Sequence, residues 1–348
     1  MGTDAPELRS ARFRWGWAFA ASGVLIVVAV TAAVVGPADL GAWQVVREIV
    51  GRALFIDEPS GLTETQHAIL WELRLPRVVL GGLVGAMLSL AGASYQGVFR
   101  NPLADPYLLG VAAGAGLGAT IVISYAPGAD ASVLPVAAFA GAVLAVVAAY
   151  VVGRSVGGRS SLTLILAGIA VASFLTAVQT FLQQRNAETI RQVYAWILGR
   201  LSTAGWGEVT TLLPYVAVCA GVLLFHRRLL DVMSVGDAEA DSLGIRSGRV
   251  RAVVVVFATL GTAAAVAVSG LIAFVGIVVP HTVRLLVGPS HRSLIPLSMV
   301  FGAAFLILAD LAARTVASPA ELPIGVVTAF IGAPFFVFIL RTSRRTVA

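Results

Sequence analysis

Long apolar blocks separated by short polar connections dominate the chain from residue 15 onward. Most blocks are about 20 residues long, the length at which an α-helix crosses roughly 30 Å of hydrocarbon. The pattern predicts transmembrane helices near ten ranges: 15–36, 75–97, 106–125, 132–152, 160–182, 207–226, 249–270, 272–288, 293–315 and 322–341. The eighth block is short and flanked by Gly270 and Gly276, which leaves a partial or broken helix open. We therefore expect an all-α polytopic membrane protein, with residues 1–348 as a single transmembrane domain.

The composition agrees with a bilayer environment and excludes several activities. Of the 348 residues, 58% are hydrophobic and 12% are charged, whereas soluble domains carry about 25% charged residues. All 24 basic residues are arginine. Without lysine there is no P-loop, because that motif needs a lysine to reach the nucleotide phosphates. If the protein uses ATP, we expect ATP and magnesium to bind on a separate ATPase chain, with no cofactor in this one.

The residues that bind metals in proteins are few and scattered. The single cysteine, Cys219, lies in an apolar run, and His67, His226, His281 and His291 show no metal-ligand spacing. We therefore predict no metal site. The net charge of +6 is typical of arginine-rich cytoplasmic loops and does not indicate a nucleic-acid partner.

The distribution of arginine predicts the orientation. Ten spans place both termini on one side, and with the N-terminus inside, fifteen arginines fall in inside segments and eight in outside segments. This bias satisfies the positive-inside rule, so we expect both termini to be cytoplasmic. Connections 37–73 and 183–206 would then lie outside. Connection 227–248 would lie inside, as one or two short interfacial helices.

Five short motifs stand out in the sequence. They are RLPR from Arg74, Gln-x-x-x-x-Asn-Pro-Leu-Ala-x-Pro from Gln96, Pro-His-x-x-Arg from Pro280, Asp-x-x-x-Arg from Asp310 and Glu-Leu-Pro-Ile-Gly from Glu321. With these motifs the chain resembles the FecCD-type permeases, the membrane subunits of bacterial ABC importers for ferric siderophores, haem and cobalamin.

The resemblance implies a type II ABC importer permease fold with ten helices in the bacterial cytoplasmic membrane. It also implies a homodimer, or a pair with a related second permease, together with two cytoplasmic ATPase subunits and an extracytoplasmic binding protein.

Three arginines are candidates for docking that binding protein: Arg74, Arg77 and Arg314. The resemblance implies that they meet carboxylates of the binding protein, and a guanidinium is a planar fork suited to carboxylates. The alternative is interfacial anchoring of helix ends. Asp310 lies four residues before Arg314 and is expected to form a structural ion pair with it, because an unpaired carboxylate is costly in lipid. Glu321 is expected to cap the last helix.

Two further segments carry predicted roles on the cytoplasmic side. Gln96, Asn101 and Pro102 are expected to belong to a pathway gate, although Asn101 and Pro102 are also natural residues for ending one helix and starting the next. Within 227–248, the resemblance assigns ATPase coupling to Gly236, Ala240, Leu243 and Gly244. Leu243 would supply the apolar anchor.

The function expected from these features is ATP-driven import of a ferric siderophore by alternating access, with haem or cobalamin as alternative cargoes. A proton-coupled secondary carrier is less favoured. It needs unpaired ionisable groups inside the membrane, and Asp310 already has a neighbouring arginine. An intramembrane enzyme is not supported, because no HExxH or GxSxG motif occurs.

Overall fold

The computed structural model describes residues 15–36, 38–55, 60–155, 161–202 and 205–344. Within these ranges the regular structure is entirely helical. The α-helices are α1 Trp15–Val34, α2 Ala42–Ala53, α3 Glu64–Ala68, α4 Leu75–Phe99, α5 Val111–Tyr125, α6 Val133–Ser155, α7 Ser161–Arg185, α8 Ile190–Ile197, α9 Trp206–Met233, α10 Asp237–Ser242, α11 Ser247–Ser269, α12 Val275–Val287, α13 His291–Thr315 and α14 Ile324–Arg344. A π-helical segment, Ile69–Arg74, leads directly into α4.

The helices reproduce the predicted apolar blocks. Seven stretches in the described residues are long and apolar enough to cross a membrane, and three shorter apolar helices, Val111–Tyr125, Val275–Val287 and Ile324–Ile339, match the remaining blocks. The all-α, multi-pass architecture is therefore confirmed, while the number of ten crossings stays a prediction. The terminal segments 1–14 and 345–348, predicted to lie in the cytoplasm, are outside the described residues.

Helix α4 forms the centre of the packing, and α9, α11, α12 and α13 surround it. Its glycines allow these neighbours to approach closely. A Cβ atom on Gly85 would lie 2.2 Å from the carbonyl oxygen of Gly302 in α13, and one on Gly92 would lie 2.1 Å from that of Gly276 in α12. No side chain fits at either contact. These glycines therefore serve close helix packing, as small residues commonly do in membranes.

The eighth apolar block is a partial helix. Residues 270–274 are irregular, Phe274 has a φ of 69°, and α12 begins at Val275. The hydroxyl of Tyr107 donates a hydrogen bond to the carbonyl oxygen of Ile272 at 3.0 Å and accepts one from its amide at 3.2 Å. Irregular backbone is tolerated within a membrane protein where such partners satisfy it.

Connection 227–248 contains one separate helix. Its first residues continue α9 to Met233, and α10 follows after a short turn. Gly236 precedes α10 with a φ of 150°, and Gly244 follows it with a φ of 83°. Glycine adopts both conformations without the penalty that a Cβ atom brings. The two glycines therefore delimit a short helix between α9 and α11.

Candidate functional site

Charged side chains gather at the N-terminal end of α4, where Arg77, Asp310, Arg314 and Glu321 form what we call the Arg77 cluster. Arg77 lies in the first turn of α4. It directly follows Pro76, and proline is favoured at the start of a helix. Its Nε donates to both carboxylate oxygens of Asp310 at 3.0 Å. Its Nη1 and Nη2 donate to the two carboxylate oxygens of Glu321 at 2.9 and 3.1 Å. One guanidinium thus joins α4 to α13 and to the segment before α14.

Asp310 is almost completely buried, with 3% of its surface exposed. Arg314 Nε lies 3.7 Å from its carboxylate, whereas Arg77 Nη2 lies at 2.9 Å. Arg77 is therefore the closer partner. The i, i+4 spacing predicted only Arg314 as the partner of Asp310. No local pattern in the sequence connects Asp310 to Arg77, which lies 233 positions away.

The predicted docking arginines all have partners within the chain. Arg74 is 5% exposed and donates to the carbonyl oxygens of Ala33, Val34 and Ala38, at and just beyond the end of α1. Arg314 Nη2 donates to the carbonyl oxygen of Ala32. These carbonyls are the ones that a helix end leaves unpaired. Docking by these arginines stays a prediction. Glu321 pairs with Arg77, and its expected role as a cap of the last helix stays a prediction.

The predicted gate residues lie at the C-terminal end of α4. Gln96 is buried, where its amide nitrogen donates to the carbonyl oxygen of Gly276 at 3.2 Å and its amide oxygen accepts from Arg284 at 2.8 Å. It therefore links α4 to α12. Asn101 accepts a hydrogen bond from the amide of Leu103 at 2.9 Å, which forms an Asx-turn. The turn role of Asn101 is present, and its gate role stays a prediction.

An open groove borders this turn. It has a volume of about 730 Å³ and runs between residues 105–108 and one face of α7, where Ser173, Thr176 and Thr180 contribute hydroxyl groups. Asp105 accepts a hydrogen bond from the amide of Tyr107 at 2.7 Å, and burial raises the pKa of Asp105 to about 6. Only 17% of the apolar stretch of α7 is buried within the chain. Most of the surface of this helix is therefore exposed.

The predicted coupling residues surround α10. Ala240, within α10, is fully buried against the protein. Leu243, which follows α10, and Val235, which precedes it, are each 71% exposed. Asp241 accepts a hydrogen bond from the amide of Ser247 at 2.9 Å, and this bond lowers the pKa of Asp241. The arrangement holds α10 on the protein surface and leaves apolar side chains beside it uncovered. The coupling role itself stays a prediction.

A partly buried contact at this end was not predicted from the sequence. Asp231, near the end of α9, accepts hydrogen bonds from the amide of His291 at 2.6 Å and the hydroxyl of Ser290 at 2.9 Å. It thereby satisfies part of the N-terminus of α13. A Cβ atom on Gly97 would lie 2.6 Å from Nε2 of His291, so the glycine makes room for the ring. The Ser290–His291 pair before an apolar block was the only available signal.

The helical bundle, with a glycine-packed central helix and polar clusters at both of its ends, is that of a polytopic membrane protein. The chain belongs to the FecCD transport family, whose family model matches residues 24–342. It is therefore a transport subunit.

Two relatives and one solved structure illustrate the membership. The chain is 44% identical to the cobalamin import system permease protein BtuC of Halobacterium salinarum, over 81% of this chain and 75% of that protein. It is 37% identical to the iron(3+)-hydroxamate import system permease protein FhuB of Bacillus subtilis, over 88% and 79%. A metal-chelate type ABC transporter in an inward-facing conformation matches with a TM-score of 0.83 and 28% identity, over 94% of this chain and all of that one.

Proposed function

We propose that this chain is the membrane-spanning permease of an ATP-driven importer for a bulky metal chelate, working by alternating access. The observation that carries the proposal is the TM-score of 0.83 to a metal-chelate type ABC transporter over 94% of the chain. In this proposal the permease forms a dimer, two ATPase subunits bind on the cytoplasmic side, and a binding protein delivers the chelate from outside. ATP and magnesium belong to the ATPase subunits.

The cargo we propose is a ferric siderophore. Support comes from relatives named for iron chelates, including the iron(3+)-hydroxamate permease and the Fe(3+) dicitrate permease FecD of Escherichia coli, which is 35% identical. Cobalamin is the second candidate, since the relative with 44% identity is named for it. Both cargoes are large metal complexes. The groove beside α7, with hydroxyl and apolar groups along its wall, has no feature that selects one of them over the other.

The residue roles follow the orientation proposed for the chain, with both termini in the cytoplasm. The Arg77 cluster and Arg74 then lie at the outer side of the protein, where carboxylates of the binding protein would replace present partners of these arginines. The turn at Asn101 and Pro102 faces the cytoplasm as part of the gate. Leu243 and Val235, both exposed beside α10, would enter a groove on the ATPase subunit.

The alternative of a proton-coupled carrier receives less support from this geometry. Such a carrier needs an ionisable group that faces a cavity and exchanges protons. Asp310 instead accepts hydrogen bonds from Arg77 and lies near Arg314. Two arginines beside one buried carboxylate favour a structural ion pair over a proton relay.

Uptake in a strain lacking the gene tests the proposal and separates the cargoes. Radiolabelled iron is supplied as a ferric siderophore, and radiolabelled cobalamin is supplied in a parallel culture. Loss of iron uptake that the gene restores supports the siderophore, whereas the same result for cobalamin alone moves the cargo to the second candidate. Normal uptake of every chelate tested, in a strain with no redundant importer, contradicts the proposal.

A further inference from the structure

The carboxylate of Asp237 brings helix α10 close to the end of α4. Asp237, the first residue of α10, has one oxygen 2.6 Å from Nη2 of Arg251 in α11. Its other oxygen, Oδ1, lies 3.6 Å from Nη2 of Arg100, which directly follows α4. Asp237 therefore stands between the helix proposed to bind the ATPase and the helix that precedes the proposed gate.

The two contacts differ in tightness. The Arg251 side chain is 12% exposed and its bond to Asp237 is short, whereas the Arg100 side chain is 41% exposed and lies beyond hydrogen-bond distance. Within the described residues, Oδ1 of Asp237 is buried and has no hydrogen-bond partner. Charge-assisted hydrogen bonds measure about 2.7–2.9 Å. A displacement of α10 by about one ångström would therefore complete the second bond or abolish the contact.

Arg100 is placed to pass such a displacement on. It has a φ of 50°, a left-handed conformation that is uncommon for a residue with a side chain, and it is the point at which α4 ends. Asn101 and Pro102 follow immediately, and the Asn101 amide still bonds to the carbonyl oxygen of Gln96 at 3.2 Å. A pull on Arg100 thus acts on the backbone of the turn itself.

We propose that Asp237 is a positioning residue that transmits the movement of α10 to the Asn101–Pro102 turn through Arg100, while Arg251 holds the carboxylate in place. The inference rests on the proposed function, because it assigns α10 to the ATPase and the turn to the gate. It adds a physical connection between the two. Without that connection the ATPase subunits would still bind and hydrolyse ATP, but less of the hydrolysis would drive transport.

The test compares Arg100→Gln, Asp237→Asn and the double variant in the full importer, reconstituted in vesicles with its ATPase subunits. Arg249→Gln is the matched control, because Arg249 is an exposed arginine on the same helix as Arg251. The measured quantity is radiolabelled chelate taken up per ATP hydrolysed, using whichever of the ferric siderophore and cobalamin the parent carries. Arg100→Gln leaves the bond between Asp237 and Arg251 intact, so it changes the proposed connection alone.

We expect Arg100→Gln and Asp237→Asn to lower uptake per ATP by about fivefold, and the double variant to be no worse than Asp237→Asn, since residues that act through one contact are not additive. Co-purification of the ATPase and the control's uptake per ATP should remain at the parent level. Unchanged uptake per ATP in Arg100→Gln, or fully additive losses in the double variant, would overturn the inference.

The proposed function is tested separately within the same experiment. If the parent importer carries none of the chelates, or its ATPase subunits do not co-purify with it, the proposed function fails. If the parent transports and Arg100→Gln takes up as much chelate per ATP as the parent, the connection through Asp237 fails while the proposed function stands.

Discussion

The two ends of α4 carry charged clusters of very different construction. At the N-terminal end, Arg77 makes five hydrogen bonds of 2.9–3.1 Å to Asp310 and Glu321. At the C-terminal end, Asp237 holds Arg251 at 2.6 Å but leaves Arg100 at 3.6 Å. The two ends are about 37 Å apart, from 1.5 Å per residue over the helix. One cluster is closed and the other is partly open.

Burial accounts for the difference. The side chains of Arg77 and Asp310 are 13% and 4% exposed, and charges removed from water must satisfy one another or destabilise the fold. The side chains of Arg100 and Asp237 are 41% and 36% exposed, and an ion pair between side chains this exposed contributes only about 0–1 kcal/mol. The Arg77 cluster therefore holds helices together, whereas the contacts around α10 can change without unfolding the protein.

The largest expected effect comes from breaking the closed cluster. Arg77→Gln leaves the buried carboxylate of Asp310 with only the 3.7 Å contact to Arg314, and breaking a buried ion pair costs about 3–5 kcal/mol of unfolding free energy. We expect a clear fall in the thermal midpoint in detergent. Cys219 is the only cysteine and is buried, so its reaction with a thiol dye measures unfolding directly.

The double variant Arg77→Gln/Asp310→Asn is the control for this prediction. It removes the uncompensated charge together with its partner, and should therefore recover part of the lost stability. A single variant that unfolds at the parent temperature would show that the cluster contributes nothing to holding α4 against α13.

The second effect concerns the surface beside α10. Leu243 is 71% exposed, so Leu243→Arg should leave the thermal midpoint unchanged while weakening ATPase binding. Loss of an apolar anchor at an interface typically costs about 2 kcal/mol. Pull-down of the ATPase subunit with the tagged permease measures the loss. Arg246→Gln is the control, because it changes an exposed residue in the same connection. ATPase binding at the parent level in Leu243→Arg would contradict the coupling role.

A smaller effect is expected from opening the closed cluster on one side. Glu321 occupies both Nη groups of Arg77, and Glu321→Gln should free them for a carboxylate of the binding protein. We expect binding to tighten by about twofold to fivefold, since one exposed ion pair contributes up to about 1 kcal/mol. Titration of the binding protein onto the permease in nanodiscs measures it.

Glu64→Gln is the matched control, because Glu64 is an acid in the first turn of α3, in the segment that leads toward α4. Binding weakened by Glu321→Gln would indicate that Glu321 itself contacts the partner. Equal effects of both variants would reduce the result to net charge.

The smallest effect concerns the end of α10. The amide of Ser247 lowers the pKa of Asp241 below its ordinary value of 3.8. A lowered folded-state pKa stabilises the protein above pH 3.8, and this contribution is lost as the pH falls through the folded-state pKa. Asp241→Asn should therefore speed hydrogen exchange at the Ser247 amide slightly at neutral pH, with the difference from the parent shrinking toward pH 3. A difference that grows in acid would assign the effect to another group.

Much of the architecture was readable from local pattern. The apolar blocks predicted the helices because hydrocarbon leaves the backbone no partner except its own carbonyl groups. Gly270 and Gly276 indicated the partial helix α12. The glycines and polar residues of 227–248 indicated the short helix after α9. The motifs that resemble the FecCD family also led to the family that the comparison confirmed.

The amino-acid sequence was therefore sufficient to predict the class of protein, the location of its helices and the i, i+4 neighbours Asp310 and Arg314. The ion pairs between residues far apart in the chain follow only from the tertiary structure. Arg77 finds Asp310, and Arg100 approaches Asp237, across 233 and 137 residues of chain. The reason is physical. Helix formation and membrane insertion depend on neighbouring residues, whereas an ion pair depends on how two separate helices are rotated and offset against each other, and that is determined only when their side chains pack.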